Sequence, residues 1–541
     1  MPLRRLRHLL LLLFTVFLML PVLAVLASWL PWGEQGAQTA QILGEMARTV
    51  LPDYALTTLV LCLLVALGVV TVGLSVAAAV TLFDFPGRRF FEWALLLPLA
   101  MPAYVVAYAY TDFLQFSGPF QSLLRELTGL QGRVFPEIRN TAGAAWVLTF
   151  ALYPYVYLLA RTALGEQASH LMEAARLLGA PLSRRIREIA LPLARPAVAA
   201  GVALALMETL ADFGVVSYFG IQTFTAGIYK AWLAMDNRLA AAQLATMLLV
   251  LVVLLLQLEQ RAQRRMRFAT GRGARPGSAE ARPVRLGGAH KWLAWGVCGL
   301  PLLMGFVAPV LFMFRPLVAE WAILPWERFP LWAFNSVRLG VLSAVLAVAL
   351  ALLLAFSLRR TPDLVTRAVV YLAGLGYAVP GAVIVVGLLL PVGWAQGLWP
   401  QSSVAYYMTA TSLGLVWAYL VRFCAVALQS VQSGYARIPL SLDDSARMLG
   451  VGGGGLLRRV HWPLLRRSAV AATLLVFVDV MKELPATLVL RPFDSDTLAV
   501  VAYQLARDER LGEAALPSLA LVLVGLIPVV LLSRTLRERA H

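Results

Sequence analysis

The chain has 541 residues, of which 60% are hydrophobic and only 14% are charged, and its mean hydropathy is +0.76. Because a soluble protein is about a quarter charged, the composition excludes one globular core and favours a protein with many membrane spans. The net charge of +17 does not indicate nucleic-acid binding. The basic residues gather between apolar runs, as the positive-inside rule expects, and form no stripe interleaved with aromatic residues.

Apolar runs along the chain predict about twelve membrane-spanning helices, since a spanning helix satisfies its own backbone hydrogen bonds. The predicted spans are 9–31, 55–83, 92–112, 143–161, 197–216, 240–258, 292–314, 335–358, 369–393, 404–425, 468–490 and 516–534. The first run follows Arg4, Arg5 and Arg7 and is longer than the roughly 7–15 apolar residues of a signal peptide, so we expect an uncleaved span. The arginine clusters predict that both termini are cytoplasmic. The fold class is therefore an all-α polytopic membrane protein.

A basic segment at 259–291 divides the predicted spans into two groups of six. It is rich in Arg, Gly and Pro and has no apolar period, which is typical of a cytoplasmic linker. The predicted organisation is a first permease half at 1–258, the linker, and a second permease half at 292–541. An even number of spans in each half gives both halves the same orientation in the membrane, as in a parallel repeat.

One polar motif occurs in both halves and supports this duplication. Residues 173–192 read EAARLLGAPLSRRIREIALP and residues 444–463 read DSARMLGVGGGGLLRRVHWP, displaced by 271 residues. Good helix formers precede Gly179, which is expected to end a first helix. Pro192 is expected to end a second, amphipathic helix before the next span begins. Pro102 and Pro380 also match, at an offset of 278 residues.

The spacing resembles the EAA motif of permeases of binding-protein-dependent ABC importers. In that family a cytoplasmic helix pair docks in a groove on an ATPase subunit, so the resemblance implies ATPase coupling at two places. The implied coupling residues are Glu173, Ala174, Ala175, Gly179 and Pro192 in the first copy, and Asp444, Ser445, Ala446, Gly450 and Pro463 in the second. The second copy departs from the family by its DSA sequence and the run Gly452–Gly455, which predicts two non-equivalent contacts. The alternative is a pair of ordinary positive-inside loops.

The sequence contains no phosphate-binding loop of the type GxxxxGK[ST]. That motif needs Gly immediately before Lys, and the three lysines follow Tyr229, His290 and Met481. The chain is therefore expected to be no enzyme and to bind no cofactor itself. ATP would be used by partner subunits.

Four acidic residues lie inside predicted spans, at positions that repeat with the same 271-residue offset. Glu208 matches Asp479, and Asp212 matches Glu483. Each i, i+4 pair is expected on one helix face, with Glu208 about 16 Å into the membrane at 1.5 Å per residue. Since an acid in hydrocarbon is costly, we predict that the four line the substrate pathway and transiently bind a metal cation. The alternative is structural, through interhelical hydrogen bonds or an ion pair with Lys482. The tyrosines of the third and fourth spans are further oxygen donors or interface anchors: Tyr104, Tyr108, Tyr153 and Tyr155.

Around these acids the sequence resembles the fused ferric-iron permeases of the ABC importer class. The segments that carry the likeness are METLADFGVVSYFG at 207–220 and KELPATLVLRPF at 482–493. The resemblance implies a type I importer permease of the bacterial inner membrane, working with two ABC ATPase subunits and a periplasmic solute-binding protein, surrounded by lipids and binding no nucleic acid. Its expected cargo is ferric iron. The alternatives are thiamine, a polyamine or another small solute, an ion-coupled secondary transporter, or a membrane-embedded enzyme.

Overall fold

The computed structural model describes residues 2–30, 35–270 and 283–538. In this part of the chain the secondary structure is helical apart from one parallel pairing of two-residue strands, β1 (Phe83–Asp84) with β2 (Val284–Arg285). The prediction of an all-α membrane protein is confirmed.

The helices up to the basic segment are α1 (Pro2–Ala27), α2 (Gln35–Arg48), α3 (Leu51–Leu82), α4 (Arg88–Ala94), α5 (Ala103–Leu114), α6 (Pro119–Thr128), α7 (Thr141–Thr162), α8 (Ala168–Leu177), α9 (Leu182–Arg185), α10 (Leu191–Ala211), α11 (Gly214–Tyr218), α12 (Phe224–Tyr229) and α13 (Arg238–Thr270). The helices after it are α14 (His290–Leu302), α15 (Ala308–Ala319), α16 (Phe329–Arg360), α17 (Leu364–Gly374), α18 (Gly381–Leu398), α19 (Val404–Thr409), α20 (Ser412–Tyr435), α21 (Leu440–Met448), α22 (Gly453–Gly455), α23 (Trp462–Lys482), α24 (Pro485–Leu490), α25 (Leu498–Arg507) and α26 (Leu511–Glu538).

Ten helices in the described residues are long and apolar enough to cross a membrane, against the twelve spans expected. An eleventh candidate is the pair Arg88–Ala100 and Ala103–Thr128, which is bent by 89°. The predicted span 468–490 falls on α23, which carries too many charged residues to count among these apolar spanning helices. It carries Arg466 and Arg467 near its start and Asp479 and Lys482 near its end.

The repeat extends to the backbone. Helices α3 and α16 are each 32 residues long, and α10 and α23 are each 21 residues long. Pro102 and Pro380 both stand just before a helix, α5 and α18, after a short 3₁₀ turn. The helical conformation is disfavoured for a residue that precedes a proline, so both predicted spans are broken at this point.

The chain separates into two compact units. One comprises residues 47–227, 250–324 and 502–541 and is called the tyrosine unit here, after the cluster described below. Its centre is the packing of α3, α7 and α10. Helices α14 and α15 pack on its first-half elements: Trp295 Nε1 donates to the Pro86 carbonyl at 2.7 Å, and the rings of Phe113 and Phe312 stack at 3.8 Å.

The other comprises residues 1–46, 228–249 and 325–501 and is called the arginine unit. Its centre is the corresponding trio α16, α20 and α23. Helix α1 packs against α17 and α18. The His8 ring contacts the Asp363 carboxylate at 2.7 Å, and Trp417 Nε1 donates to the Phe17 carbonyl at 3.0 Å.

Each compact unit thus combines helices from both sides of the basic segment, so the units do not follow the predicted boundary at 259–291. The segment itself also differs from a plain linker. Helix α13 continues to Thr270, because 259–270 is rich in Gln, Arg and Ala, which favour helix. Residues 271–282 of the predicted linker lie outside the described part of the chain.

Candidate functional site

The first repeated motif forms a short helix that ends at Gly179. Helix α8 is followed by Gly179 in the left-handed conformation, with φ +80°. The Gly179 N–H donates to the Arg176 carbonyl and the Ala180 N–H to the Ala175 carbonyl, both at 3.0 Å. This is a Schellman-type helix end, which favours glycine because a Cβ is strained at positive φ.

The second motif ends in the same way despite its different sequence. Gly450 has φ +77°, its N–H donates to the Arg447 carbonyl, and the Val451 N–H donates to the Ala446 carbonyl, both at 3.0 Å. Residues 168–190 and 440–461 are called the first and second coupling segments from here on. The expected helix breaks at Gly179 and Gly450 are confirmed.

Each coupling segment presents two exposed apolar side chains just before its glycine. Leu177 and Leu178 are 85% and 88% exposed, and Met448 and Leu449 are 89% and 83% exposed. Glu173 and Asp444 are also exposed, as are the adjacent Ala174 and Ser445, whereas Ala175 is half-buried and Ala446 buried. Exposed large apolar side chains side by side mark an interaction surface. The sequence reasoning named the acids and small residues but missed these apolar pairs, for which the signal was LLG and MLG.

The expectation that Pro192 ends a helix is wrong. The chain from Leu182 to Ala211 is one apolar helical path, and Pro192 lies at the start of α10 within it. The turn just before, Ile186–Ala190, is π-helical. A widened turn moves the preceding carbonyls away from the proline ring, so the helix can continue. Pro463 lies after the π-helical turn Leu456–His461 in the same way.

The two coupling segments differ at their base, where the second contains a buried ionic cluster. Asp443 is 2% exposed. Its carboxylate accepts from Arg359 Nε at 2.8 Å and Nη2 at 2.9 Å, and it contacts His461 Nε2 at 3.1 Å. Arg359 also donates to the carbonyls of Tyr435, Ile438 and Pro439, which precede α21. The cluster therefore ties the second coupling segment to the end of α16.

Burial alone would raise the pKa of Asp443, but the hydrogen bonds from Arg359 and His461 outweigh it and hold the pKa below its ordinary value. Asp443 is thus an ionised partner of Arg359 at neutral pH. In the repeat, Met172 and Ala190 of the first segment stand where Asp443 and His461 stand in the second, and both are buried. Buried apolar side chains therefore hold the first segment in place. Sequence comparison matched Asp444 with Glu173 and passed over Asp443, whose cationic partner is 84 residues away.

The predicted pathway acids of the tyrosine unit lie where a span breaks. Helix α10 ends at Ala211, and Asp212 has an extended backbone, with ψ 125°. Its Oδ1 accepts from the Val215 N–H at 2.9 Å and the Val216 N–H at 3.4 Å, donors in the first turn of α11 that have no helical partner. Glu208 precedes Asp212 by one turn, close enough for mutual repulsion.

The acids of the arginine unit lie at the matching break. Helix α23 ends at Lys482, and Glu483 is extended and 5% exposed. Its carboxylate accepts from the Ala486 N–H at 2.9 Å, the Thr487 N–H at 3.0 Å and Thr487 Oγ1 at 2.7 Å. Arg422 Nη1 lies 3.5 Å from the same carboxylate. The second acid of each pair therefore stabilises a helix break, in addition to the place in the substrate pathway that the sequence predicts for it.

Each pair stays within its own unit: Glu208 with Asp212 in one, Asp479 with Glu483 in the other. The expectation of a continuous helix through each pair is wrong, since the helix ends before the second acid. In the described residues, no three His, Cys, Asp or Glu side chains are grouped so as to hold a metal ion. A metal-binding role for the four acids stays a prediction.

Comparison with known proteins identifies the family. The family model described as "Binding-protein-dependent transport system inner membrane component" matches residues 69–268. A probable molybdenum ABC transporter permease protein of Haloferax volcanii is 32% identical over 36% of this chain and 70% of its own length. The chain belongs to this family of transport components.

This family member is similar to ferric permeases over most of its length. It is 25% identical to the Fe(3+)-transport system permease protein FbpB 2 of Haemophilus influenzae, over 88% of each chain. It is 23% identical to the ferric transport system permease protein FbpB of Actinobacillus pleuropneumoniae, over 76% of this chain and 61% of that one. The chain is a multi-pass inner membrane permease of an ABC importer, and the ATPase is a separate subunit.

Proposed function

We propose that this permease carries ferric iron across the inner membrane, in an importer driven by two ABC ATPase subunits and supplied by a periplasmic solute-binding protein. The observation that carries the proposal is the similarity to a ferric permease over 88% of the chain, together with acids at both span breaks. Carboxylate oxygens suit a small, highly charged cation. ATP is used by the partner ATPases, and the permease itself needs no cofactor.

In this proposal the four acids Glu208, Asp212, Asp479 and Glu483 line the route. Glu208 and Asp479 are the members of each pair that lie within a helix, one turn before the break. Both are partly exposed within the chain. A cation that passes through an apolar membrane needs such groups because they replace part of its hydration.

The two coupling segments are the proposed ATPase contacts. The apolar pairs would enter grooves on the ATPases, and the exposed Glu173, Ala174, Asp444 and Ser445 would face the same partners. Ala175 and Ala446 lie on the inner side of each helix and support this surface. Gly179 and Gly450 set the turn, and Pro192 and Pro463 stand where each segment joins its span. Docking there transmits closure of the ATPases to α10 and α23, which carry the acids. Both termini and the segment 259–291 are cytoplasmic in this arrangement, and 1–258 and 292–541 are the duplicated halves.

The test is ATP-driven uptake into membrane vesicles that contain the full complex. Ferric ion, thiamine and a polyamine are offered separately, with and without ATP. We expect ferric uptake that needs ATP and that is lost when Glu208→Gln is combined with Asp479→Asn. The matched control is Glu137→Gln, which removes an exposed acid whose side chain, in the described residues, pairs only with Arg133. Uptake of another solute in place of iron, or uptake without ATP, would overturn the proposal.

A further inference from the structure

The tyrosine unit has several buried side-chain hydroxyl groups with no hydrogen-bond partner in the described residues, and one of them lies among other phenols. It belongs to Tyr108 on α5, whose side chain is 1% exposed. Buried polar groups are almost always paired, since burial without a partner loses the hydrogen bonds that water supplied. A buried hydroxyl of this kind calls for an explanation in terms of something that can bind it.

The surroundings of Tyr108 are rich in oxygen. The ring of Tyr104 lies 5.7 Å away, centre to centre, and that of Tyr218 lies 4.7 Å away. Asp212 and Tyr503 are close enough to interact electrostatically with the Tyr108 hydroxyl. The Tyr503 hydroxyl is 2.8 Å from Ser217 Oγ. Four phenols and one carboxylate are thus gathered at the span break, and all belong to one compact unit.

The matching break of the arginine unit is built differently. Ala382 and Val386 stand at the positions that Tyr104 and Tyr108 occupy in the repeat. The acid there, Glu483, accepts three hydrogen bonds and has Arg422 beside it. Asp212 accepts only from backbone N–H groups in the described residues. Arg139 lies near the tyrosine cluster: it stacks on Tyr218, donates from Nη2 to the Tyr218 hydroxyl at 3.4 Å and is paired with Glu509 at 2.8 Å.

We propose that Tyr108, Tyr104 and Tyr218 form with Asp212 a transient ferric-binding station in the tyrosine unit. This rests on the proposed function, because ferric iron is its ligand. Phenolate and carboxylate oxygens are hard donors for a small cation of high charge. When iron binds, the Tyr108 O–H bond breaks, an iron–oxygen bond forms and the proton leaves to water, with no change in oxidation state. The phenols at the break of the arginine unit are already paired, since the Tyr419 hydroxyl is 2.6 Å from Thr487 Oγ1 and the Tyr229 hydroxyl donates to the Pro485 carbonyl at 2.8 Å. The station is therefore assigned to the tyrosine unit alone.

The test uses the purified full chain in lipid nanodiscs with iron supplied as ferric nitrilotriacetate. A phenolate bound to ferric iron gives a visible charge-transfer band, which the carboxylates alone do not. We expect the band in the wild type, together with proton release, and at least a fivefold weaker band in Tyr108→Phe. A second variant, Asp212→Asn, keeps an acceptor oxygen for the Val215 N–H while removing the charge, and should weaken iron binding without disturbing the helix break.

The control is Tyr153→Phe. Tyr153 is equally buried and its hydroxyl also has no hydrogen-bond partner in the described residues, but it interacts with Tyr157 and Cys298 rather than with an acid. This variant should keep the full band. An absent band in the wild type, or an equal band in Tyr108→Phe, overturns the station. If vesicle uptake of iron is intact in those cases, the proposed function survives; if the wild type takes up no iron, both fail.

Discussion

The two coupling segments share a backbone pattern but are fixed in place by different interactions. Both end at a glycine with positive φ and expose an apolar pair. The first segment is fixed by its buried residues Met172 and Ala190. The second is fixed by its ionised Asp443, which lies between Arg359 and His461. A duplicated element can therefore keep the surface that meets a partner while changing what fixes it to its own span. The second segment has exchanged non-directional apolar packing for directional hydrogen bonds, which hold one geometry more strictly but fail more severely when one member is lost.

The largest expected effect comes from removing the cation of the second segment. Arg359→Leu leaves Asp443 buried beside His461 alone and should destabilise the segment by about 3–5 kcal/mol, the usual cost of breaking a buried ion pair. Hydrogen exchange of the backbone amides of 440–461 measures this, and 168–190 should keep its protection. Arg447→Leu is the control, because that side chain is half exposed and its ion-pair partner is the exposed Asp444. Unchanged protection in Arg359→Leu would show that the cluster does not anchor the segment.

A smaller effect is expected at the shared surface. Leu178→Asp and Leu449→Asp should each weaken ATPase binding by about 2 kcal/mol, since an apolar anchor at the centre of an interface contributes on this scale. Binding of the purified ATPase to the permease in nanodiscs measures the loss for each segment separately. Leu364→Asp is the control, because Leu364 is 84% exposed but lies at the start of α17. If only one coupling-segment variant weakens binding, the two contacts are functionally unequal as well as differently anchored.

The smallest effects concern the glycines and differ in sign. Gly179→Ala and Gly450→Ala should each destabilise their helix end by about 1 kcal/mol, since the left-handed conformation strains a Cβ. Gly454→Ala should instead stabilise the second segment by about 0.5–1 kcal/mol, because Gly454 is helical and a Cβ there meets open space. Local hydrogen exchange distinguishes the three. A destabilising Gly454→Ala would mean that the glycine run is needed as such.

The sequence predicted those parts of the molecule that depend on local signals. The repeat, the breaks at Gly179 and Gly450 and the paired Pro102 and Pro380 follow from residues whose backbone preferences act at their own position. Long-range pairing left no such signal. Asp443 could not be told from Asp444 without knowing that Arg359 approaches it, and the Tyr108 environment combines residues from three separate segments.

The helix ends at Asp212 and Glu483 were missed for a related reason. The apolar run around each acid predicts a continuous span, whereas the carboxylate accepts hydrogen bonds from the backbone beyond it and ends the helix. Likewise, the boundary at 259–291 was inferred from composition, which cannot show that a helix packs on the opposite side of that boundary.

The packing of α1 has a consequence for biosynthesis. His8 meets Asp363 across 355 residues of chain, so α1 finds this neighbour only after those residues have been synthesised. At about 5–20 residues per second, α1 waits roughly 20–70 s in the bilayer before that contact can form. During this interval α1 lacks this contact and is exposed to quality-control proteases and to incorrect partners. A gene split at the basic segment would yield two fragments that each lack helices of their compact unit until they meet: α14, α15 and α26 for the tyrosine unit, and α1 for the arginine unit.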